Sequence, residues 1–292
     1  MVLLIIKSKT IWYFCIKQTQ MVVFPKAKIN LGLNITGKRP DGYHDIETVF
    51  YPVNLCDALE IISCRDGEEK DILTLTGHEL PGNIEDNIVF RAAEIIRKRY
   101  PVPWLRIHLH KSIPAGAGLG GGSSDAAFML MAINRTFSLS ICANELKTFA
   151  AALGSDSPFF IDCQPEFASG RGEILKPVNL FLKGLYIVLV NPGILISTRE
   201  AYDNCIPATP ERSLKDLINR PISEWKNLIT NDFEKTIFLR NPAIKSLKQE
   251  LYDNGALYSS MSGSGSTVYG IFHEKPAIPG RLRENLIYEG EL

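Results

Sequence analysis

The feature that most constrains this chain is a glycine-rich stretch between two regular patterns. Residues 114–125 read Pro-Ala-Gly-Ala-Gly-Leu-Gly-Gly-Gly-Ser-Ser-Asp. Before it, residues 105–110 alternate apolar and polar side chains, which predicts a half-buried strand. After it, apolar side chains recur at helical spacing as far as Ile133, and the serines and aspartate that close the stretch are typical of a helix N-terminus. The sequence therefore predicts a strand, a glycine-rich loop and a helix in succession.

A junction of this kind suits a phosphate group. Unpaired backbone N–H groups and the positive end of the helix dipole meet there, and glycines let the backbone approach a ligand without a Cβ in the way. The stretch is not a Walker A loop, because Gly122 is followed by serine instead of Lys-Ser/Thr. Its G-x-G-x-x-G letters, which begin at Gly116, match a dinucleotide fold only weakly, since the region near Glu145 predicts a helix where a second strand is required. A flexible linker would not have such well-patterned flanks. We predict a nucleoside triphosphate site of neither common type.

Composition indicates a globular protein of one large or two ordinary domains, since the 292 residues are 45% hydrophobic and 22% charged. The 32 acidic residues balance the 32 basic ones, so no bulk charge points to nucleic acid or a membrane surface. The six cysteines contain no C-x-x-C pair, which favours reduced thiols over disulfides or zinc. No apolar run approaches the roughly 20 residues that span a bilayer. We therefore expect a cytoplasmic protein without nucleic-acid or membrane partners.

The first residues differ from the rest of the chain. Residues 1–6 are apolar, but lysines soon interrupt the pattern and no small-residue cleavage site follows. A signal peptide is one interpretation. The interpretation we favour is that Met21 is the biological start, with residues 1–20 an upstream extension outside the fold.

The rest of the chain predicts two domains, residues 21–168 and residues 169–292. The boundary is set where the pattern loosens to Ala-Ser-Gly-Arg-Gly at residues 168–172. Beyond it, an apolar strand at 185–190 and two strands within 256–272, with a helix between them, give the second half a sheet-with-helices pattern of its own.

Two pairs of polar residues stand out in the first half. A strand predicted over residues 22–35 places Lys28 and Asn30 side by side, opposite an apolar face that is made of Ile29, Leu31, Leu33 and Ile35. A solvated edge is the alternative interpretation of these two residues. Tyr43 and His44 follow a Pro-Asp-Gly turn, from which they could reach a ligand, although packing or exposed surface fits them equally.

Two further segments have two interpretations each. Ser157 and Pro158 suit the N-cap and first position of a helix, so Asp156 is either an electrostatic residue at a helix start or a carboxylate held over the phosphate loop as a base. The loop at residues 262–266, Ser-Gly-Ser-Gly-Ser, is either a hairpin turn or a second backbone wall for the ligand.

Three segments together resemble the motifs of the GHMP kinase superfamily: residues 27–31, 114–124 and 261–265. The resemblance runs from about Met21 to the C-terminus. It implies an α+β fold of two domains, with a ribosomal-protein-S5-like N-terminal domain, a ferredoxin-like C-terminal domain and the active site between them. It also implies transfer of the γ-phosphoryl group of ATP, with Mg²⁺, to an alcohol.

Within the superfamily, residues 39–44 and 154–159 are similar to those of the kinases in the non-mevalonate (methylerythritol phosphate) isoprenoid pathway. The acceptor of those kinases is the 2-hydroxyl of a methylerythritol linked to cytidine diphosphate. The resemblance implies that Lys28 and Asp156 are catalytic. The residues implied to bind this small-molecule substrate are Asn30, Tyr43, His44 and Tyr202, with the aromatic rings of Tyr43 and Tyr202 on opposite faces of the cytosine.

The ATP-binding residues implied are those of the glycine-rich stretch: Pro114, Ala115, Gly116, Ala117, Gly118, Leu119, Gly120, Gly121, Gly122, Ser123 and Ser124. No metal ligand is assigned with certainty, and the hydroxyls of Ser123 and Ser124 are the candidates for Mg²⁺. Asp125 adds a carboxylate at the helix start, where it either caps the helix or assists the metal. Ala115 and Ala117 stand where relatives often carry Met or Gly, and both are small enough for the loop.

The resemblance yields one geometric expectation: Lys28 and Asp156, far apart in sequence, should converge beside the glycine-rich loop. A monomer or weak homodimer is expected. The alternatives are another GHMP kinase, acting on homoserine or mevalonate, a nucleotide-binding protein without catalysis, and a dinucleotide-dependent oxidoreductase.

Overall fold

Helices and strands are mixed along the chain in the computed structural model, which describes residues 20–65, 67–203 and 205–292. The α+β expectation is therefore confirmed. Of the predicted extension at residues 1–20, only Gln20 belongs to the described residues, and it begins the first strand. None of the helices in these three ranges is both long and apolar enough to cross a membrane.

The strands in chain order are β1 (Gln20–Val23), β2 (Lys26–Lys38), β3 (His44–Cys56), β4 (Ala58–Ser63), β5 (Ile72–Gly77), β6 (Leu105–Lys111), β7 (Glu166–Ser169), β8 (Ile174–Pro177), β9 (Tyr186–Val190), β10 (Tyr258–Met261), β11 (Val268–Phe272) and β12 (Leu286–Glu291). The α-helices are α1 (Ile88–Arg97), α2 (Gly121–Thr136), α3 (Ala143–Ala151), α4 (Phe159–Asp162), α5 (Thr198–Asp203), α6 (Leu214–Leu217), α7 (Ile222–Leu228), α8 (Glu234–Arg240), α9 (Pro242–Asp253) and α10 (Gly280–Glu284).

The first sheet carries the strand that leads into the glycine-rich loop. Its order is β1–β4–β6–β5, and β5 runs parallel to β6 while the other neighbours are antiparallel. The outward residues of β6 alternate with buried ones, as predicted for a half-buried strand. Its buried side chains pack in one hydrophobic cluster with those of α1, α2 and α3. These three helices therefore cover one face of this sheet, and this packing fixes the position of the start of α2.

The predicted opening strand is in fact two strands in two different sheets. The break falls at Pro25, between β1 and β2, because proline has no N–H to donate to a ladder. In the second sheet, whose order is β2–β3–β7–β8, β2 pairs antiparallel with β3.

The predicted apolar face of the opening strand holds only as far as Leu31. A bulge follows it, because Leu31 lies opposite Val49 but Leu33 lies opposite Thr48, so two residues of β2 face one of β3. Gly32, at the bulge, has a φ of +72°. Leu33 consequently packs in a different hydrophobic cluster from Leu31. The alternation expected from sequence was wrong here because one extra residue reverses the face of every residue after it.

The second sheet extends past the predicted domain boundary. The boundary between residues 168 and 169 falls inside β7, and β8 pairs antiparallel with β7, so the sheet continues to Pro177. A loose Ser-Gly-Arg-Gly sequence thus marks a turn between two strands of one sheet.

The third sheet lies in the C-terminal part and has the order β10–β11–β9–β12, with all neighbours antiparallel. Strand, helices, strand, strand, helix and strand follow each other along the chain, which is the ferredoxin-like pattern expected. One face of β9, carrying Ile187 and Leu189, packs in the same cluster as Ile29 and Leu31 of β2. The second and third sheets therefore share a hydrophobic core.

The bulge in β2 gives a prediction about stability. A Cβ at Gly32 would lie 2.6 Å from Ile229 Cγ2, and φ there is in the left-handed region. We expect Gly32→Ala to lower the free energy of unfolding by about 3 kcal/mol, from backbone strain and from overpacking against buried side chains.

Gly42→Ala is the matched control, because its φ is +85° but nothing lies within 4 Å of the added Cβ. It should lose only about 1 kcal/mol. Urea denaturation of both variants measures the difference, and equal losses would contradict the crowding at Gly32.

Candidate active site

The strand, glycine-rich loop and helix predicted from sequence are all present. β6 ends at Lys111, and α2 begins at Gly121, two residues earlier than the serines that were expected to start it. Gly120 is the N-cap with a φ of +71°, and its carbonyl accepts the N–H of Ser124 at 2.9 Å. Ser123 and Ser124 therefore lie in the first turn of α2, and five of the nine residues before them, 114–122, are glycines.

This loop packs directly against the Ser-Gly loop of residues 262–266. The hydroxyl of Ser262 donates to the carbonyl of Gly118 at 2.8 Å. A Cβ at Gly118 would lie 1.9 Å from the carbonyl oxygen of Ser262, and a Cβ at Gly265 would lie 2.2 Å from the backbone of Ala117. The Ser-Gly loop also joins β10 to β11, so it is a hairpin turn, and its Gly263 and Ser264 line one of the two cavities beside the glycine-rich loop.

Two cavities lie on either side of the glycine-rich loop. The larger, of about 560 Å³, is lined by residues 114–123, by Lys111 and Asp125, and by residues 80–88 in part. The smaller, of about 220 Å³, is lined among others by Lys28, Asn30, Asp156, Arg171 and Tyr202. Both cavities use Gly116, Gly118 and Gly120 as a common wall. Among the predicted ATP-binding residues, Ser124 alone does not line the larger cavity.

Lys28 and Asp156 meet in the smaller cavity, as the sequence led us to expect. The Lys28 Nζ lies 3.4 Å from the Asp156 carboxylate, and it donates to the Gly118 carbonyl at 3.2 Å. Lys28 is only 3% exposed, so a solvated edge does not describe it. Burial lowers the pKa of Lys28, while the nearby Asp156 carboxylate acts in the opposite direction.

Asn30 fixes the position of the Lys28 side chain. Its Oδ1 accepts from Lys28 Nζ at 2.5 Å, and its Nδ2 donates to Thr48 Oγ1 at 3.0 Å. The Thr48 hydroxyl in turn donates to the Gly32 carbonyl at 2.6 Å. A chain of hydrogen bonds thus holds the ammonium group toward Asp156.

Asp156 is not part of a capped helix. α4 begins at Phe159 after Pro158, and Ser157 makes no capping hydrogen bond. The Ser157 N-cap expected from sequence was wrong because Pro158 itself stands at the N-cap with helical backbone angles. The Asp156 side chain is 33% exposed, so a ligand in the smaller cavity can reach it.

The predicted base-binding aromatics are only partly brought together. His44 is buried and stacks on Tyr202, with ring centroids 5.0 Å apart, and Tyr202 meets Phe233 edge-on at 4.9 Å. Tyr43 is 56% exposed, and its ring lies 4.8 Å from the guanidinium carbon of Arg171. Tyr202 lines the smaller cavity, while Tyr43 and His44 lie beside it. The ring of Tyr202 is thus covered on one face by His44, and Tyr43 is in contact with Arg171.

A buried ionic cluster beneath the glycine-rich loop was missed from sequence. The Lys111 ammonium contacts the carboxylates of Asp57 and Asp125, the latter at 2.6 Å. Asp57 also accepts the N–H groups of Ser112 and Ile113, at 2.7 and 2.9 Å. The cluster thus ties β6, α2 and the segment before β4 together. A lysine ending an otherwise alternating strand was the one signal for it in the sequence.

Asp125 does not cap its helix, because Gly120 is the N-cap and the Asp125 Oδ2 accepts from Lys111, while its buried Oδ1 has no hydrogen-bond partner among the described residues. Two carboxylates share one ammonium in this cluster. Burial raises the pKa of Asp125 to about 7, with the Asp57 charge adding to the rise and Lys111 opposing it. In residues 20–65, 67–203 and 205–292, no group of three or more His, Cys, Asp or Glu side chains is arranged to hold a metal ion.

Arg171 was also missed as a candidate site residue. Its Ser-Gly-Arg-Gly segment was predicted to be a domain boundary, but Arg171 lines the smaller cavity. The sequence did offer one indication, because an arginine between two glycines close to a strand is typical of a tight turn that presents a side chain.

Two family models match the chain. The model of the GHMP kinases N-terminal domain matches residues 87–163, and the model of their C-terminal domain matches residues 213–286. The fold and the glycine-rich loop between two cavities are thus those of a GHMP kinase.

Curated relatives narrow this class. The 4-diphosphocytidyl-2-C-methyl-D-erythritol kinase of Bacteroides fragilis is 51% identical over 258 residues, which are 88% of this chain and 94% of that enzyme. The same kinase of Cytophaga hutchinsonii is 45% identical over 257 residues, 88% of this chain and 94% of that one. A crystal structure of 4-(cytidine 5'-diphospho)-2C-methyl-D-erythritol kinase matches with a TM-score of 0.71 at 32% identity, over 86% of this chain and 90% of that one. The chain belongs to the 4-diphosphocytidyl-2-C-methyl-D-erythritol kinases.

The raised pKa of Asp125 gives a prediction about pH. Because the folded state holds this proton more tightly than an unfolded carboxyl of pKa 3.8, its contribution to stability is present at low pH and is lost as the pH rises through about 7. Asparagine cannot ionise. We expect the free energy of unfolding of Asp125→Asn, relative to that of the unsubstituted protein, to rise by about 2 kcal/mol from pH 5 to pH 8. Urea denaturation at both pH values measures this, and a pH-independent difference would contradict it.

Proposed function

We propose that this chain transfers the γ-phosphoryl group of ATP to the 2-hydroxyl of 4-diphosphocytidyl-2-C-methyl-D-erythritol, in the non-mevalonate isoprenoid pathway. The names of its curated relatives support this reaction. The observation that carries it is the Lys28–Asp156 pair, 3.4 Å apart, in a cavity that shares the glycine-rich loop with a larger one. A donor on one side of the loop and an acceptor on the other would meet at that shared wall.

The larger cavity is the proposed ATP site. Its loop supplies backbone N–H groups, and α2, a helix of 16 residues, directs its positive end toward the same place. The β- and γ-phosphates would lie against Gly116 to Ser123, where five glycines without a Cβ allow close approach of the backbone. Holding the triphosphate in one position is a large part of catalysis in phosphoryl transfer, since the transition state is loose and needs mainly alignment and charge compensation.

Asp156 is the proposed base. It is reachable from the smaller cavity, where it would accept the proton of the 2-hydroxyl as that oxygen attacks the γ-phosphorus. Lys28 is the proposed electrostatic partner, because its ammonium lies between the Asp156 carboxylate and the Gly118 carbonyl. From there it can offset negative charge on the attacking oxygen and on the phosphoryl group in transfer.

Mg²⁺ is proposed to accompany ATP, where it would supply charge neutralisation of the phosphate oxygens. The chain fits a metal held mainly by phosphate and water. Ser123 lines the larger cavity, and the buried hydroxyl of Ser124 has no hydrogen-bond partner among the described residues. These two hydroxyls are the proposed protein ligands.

The localisation, the partners, the oligomeric state and the domain division are also proposed, mainly from the sequence. The balanced charge supports a cytoplasmic enzyme that has only small molecules as partners, as a monomer or weak homodimer. The division into an N-terminal domain from residue 21 and a C-terminal domain is also proposed, with β8 kept in the first of them because of its pairing with β7.

An assay of ADP release against a panel of alcohols tests the reaction. We expect turnover with 4-diphosphocytidyl-2-C-methyl-D-erythritol and little with homoserine or mevalonate, because the cavity pairs its catalytic residues with aromatic rings suited to a base. Mass spectrometry of the product should locate the new phosphate on the 2-hydroxyl. Turnover with mevalonate but not with the cytidylyl substrate would overturn the proposed function.

Substitution of the proposed base tests the mechanism. Asp156→Asn keeps the shape of the side chain but cannot accept the proton, so we expect kcat to fall by about 10²- to 10⁴-fold while the KM for ATP is nearly kept. Asp162→Asn is the matched control, since that carboxylate is paired with Lys147 and lines neither cavity. Near-normal turnover by Asp156→Asn would show that Asp156 only orders the local structure.

A further inference from the structure

Arg171 lies in the turn between β7 and β8, at the edge of the smaller cavity. Its flanking glycines have φ values of +67° at Gly170 and +107° at Gly172, and its own N–H donates to a Glu173 carboxylate oxygen at 2.6 Å. These contacts fix a tight turn. As a result, the Arg171 side chain forms part of the cavity wall.

The Arg171 guanidinium has donors to spare. Its Nε lies 3.8 Å from Glu173, too far for a hydrogen bond, and across the described ranges it makes no hydrogen bond of its own. It rests over the ring of Tyr43 and is 39% exposed. The ring holds the cation by a cation–π contact and leaves its N–H groups open to a ligand.

Arg171 lies between the residues that are proposed to bind the two ends of the acceptor. On one side is Tyr43, proposed to stack on the cytosine. On the other side, a Cβ at the neighbouring Gly172 would lie 3.5 Å from Asp156 Oδ1, so the turn reaches the proposed base. In the substrate of the proposed function, a diphosphate connects the cytidine to the methylerythritol. That diphosphate would lie along Arg171.

The other cation that lines this cavity is already engaged. Lys28 donates to Asn30 and Gly118 and pairs with Asp156. A diphosphate carries about two negative charges and needs compensation when it enters a partly buried cavity. Arg171 is the lining cation that is left to provide it.

We propose that Arg171 binds the diphosphate of the acceptor and so determines specificity for a nucleoside diphosphate-linked alcohol. This inference rests on the proposed function and deepens it. The planar guanidinium presents paired N–H donors that match phosphate oxygens, which a lysine ammonium cannot do. Arg171 thus contributes to recognition of the acceptor, while Asp156 and Lys28 act at its hydroxyl.

The test uses Arg171→Gln and Arg171→Lys in the full chain. Cytidine diphosphate and cytidine serve as competitive inhibitors against the cytidylyl substrate, because they share the base but differ in the diphosphate. For Arg171→Gln we expect the inhibition constant of cytidine diphosphate and the KM of the substrate to rise about 10- to 100-fold, the loss of one or two charge-assisted hydrogen bonds. The inhibition constant of cytidine and the KM of ATP should change less than about 3-fold. For Arg171→Lys, the inhibition constant of cytidine diphosphate and the KM of the substrate should lie between the values of the unsubstituted protein and those of Arg171→Gln.

Arg106→Gln is the matched control. Arg106 is 44% exposed, pairs with Glu68 and lines neither cavity, so its loss should leave all four constants unchanged. Equal weakening of cytidine and cytidine diphosphate by Arg171→Gln would overturn the proposal, because it would assign Arg171 to the support of Tyr43 alone. Unchanged constants in an active Arg171→Gln enzyme would overturn it as well. Failure of the unsubstituted protein to phosphorylate the substrate would instead overturn the proposed function.

Discussion

The contact on which the site depends is one of backbone on backbone, between the glycine-rich loop and the Ser-Gly loop of the third sheet. Neither Gly118 nor Gly265 has room for a Cβ, so any other residue would force the two loops apart. β2 joins at the same point, because the N–H of Lys28 donates to the Leu119 carbonyl at 2.9 Å. Strand, loop and hairpin from distant parts of the chain therefore meet around Gly118, and the wall between the two cavities is set by this meeting.

The two buried lysines near this wall have different electrostatic environments. Lys111 lies between the carboxylates of Asp57 and Asp125, and all three groups are removed from solvent. Lys28 is just as buried, but its partner Asp156 is a third exposed and opens into the smaller cavity. Removing one partner of a buried charge costs folding free energy, so the Lys111 cluster has a structural role. The Lys28 pair opens into a cavity instead, which is consistent with the proposed catalytic role.

Sequence reasoning predicted the parts of the site whose signals are local. The strand, loop and helix around the glycines follow from periodicity and composition, and the motif resemblance led us to expect Lys28 beside Asp156. The bulge at Gly32 could not be predicted, because it depends on which residues of β3 lie opposite. The pairing of Asp125 with Lys111 and Asp57 was missed for the same kind of reason, since it joins residues of three separate elements. Spacing along the chain carries no information about such contacts.

The two cavities are built from different sheets, and this bears on specificity. The larger cavity takes its walls from the loop, from Leu75 and Lys111 of the first sheet and from residues 80–88 in part. The smaller takes its walls from β2, β3, the β7–β8 turn and the C-terminal part. Only the glycine-rich loop serves both. Under the proposed function, changes in the β7–β8 turn or around Tyr202 should therefore alter acceptor binding without disturbing the nucleotide, because no side chain of those elements lines the larger cavity. Under the proposed function, the donor would be recognised by backbone and the acceptor by side chains on other elements.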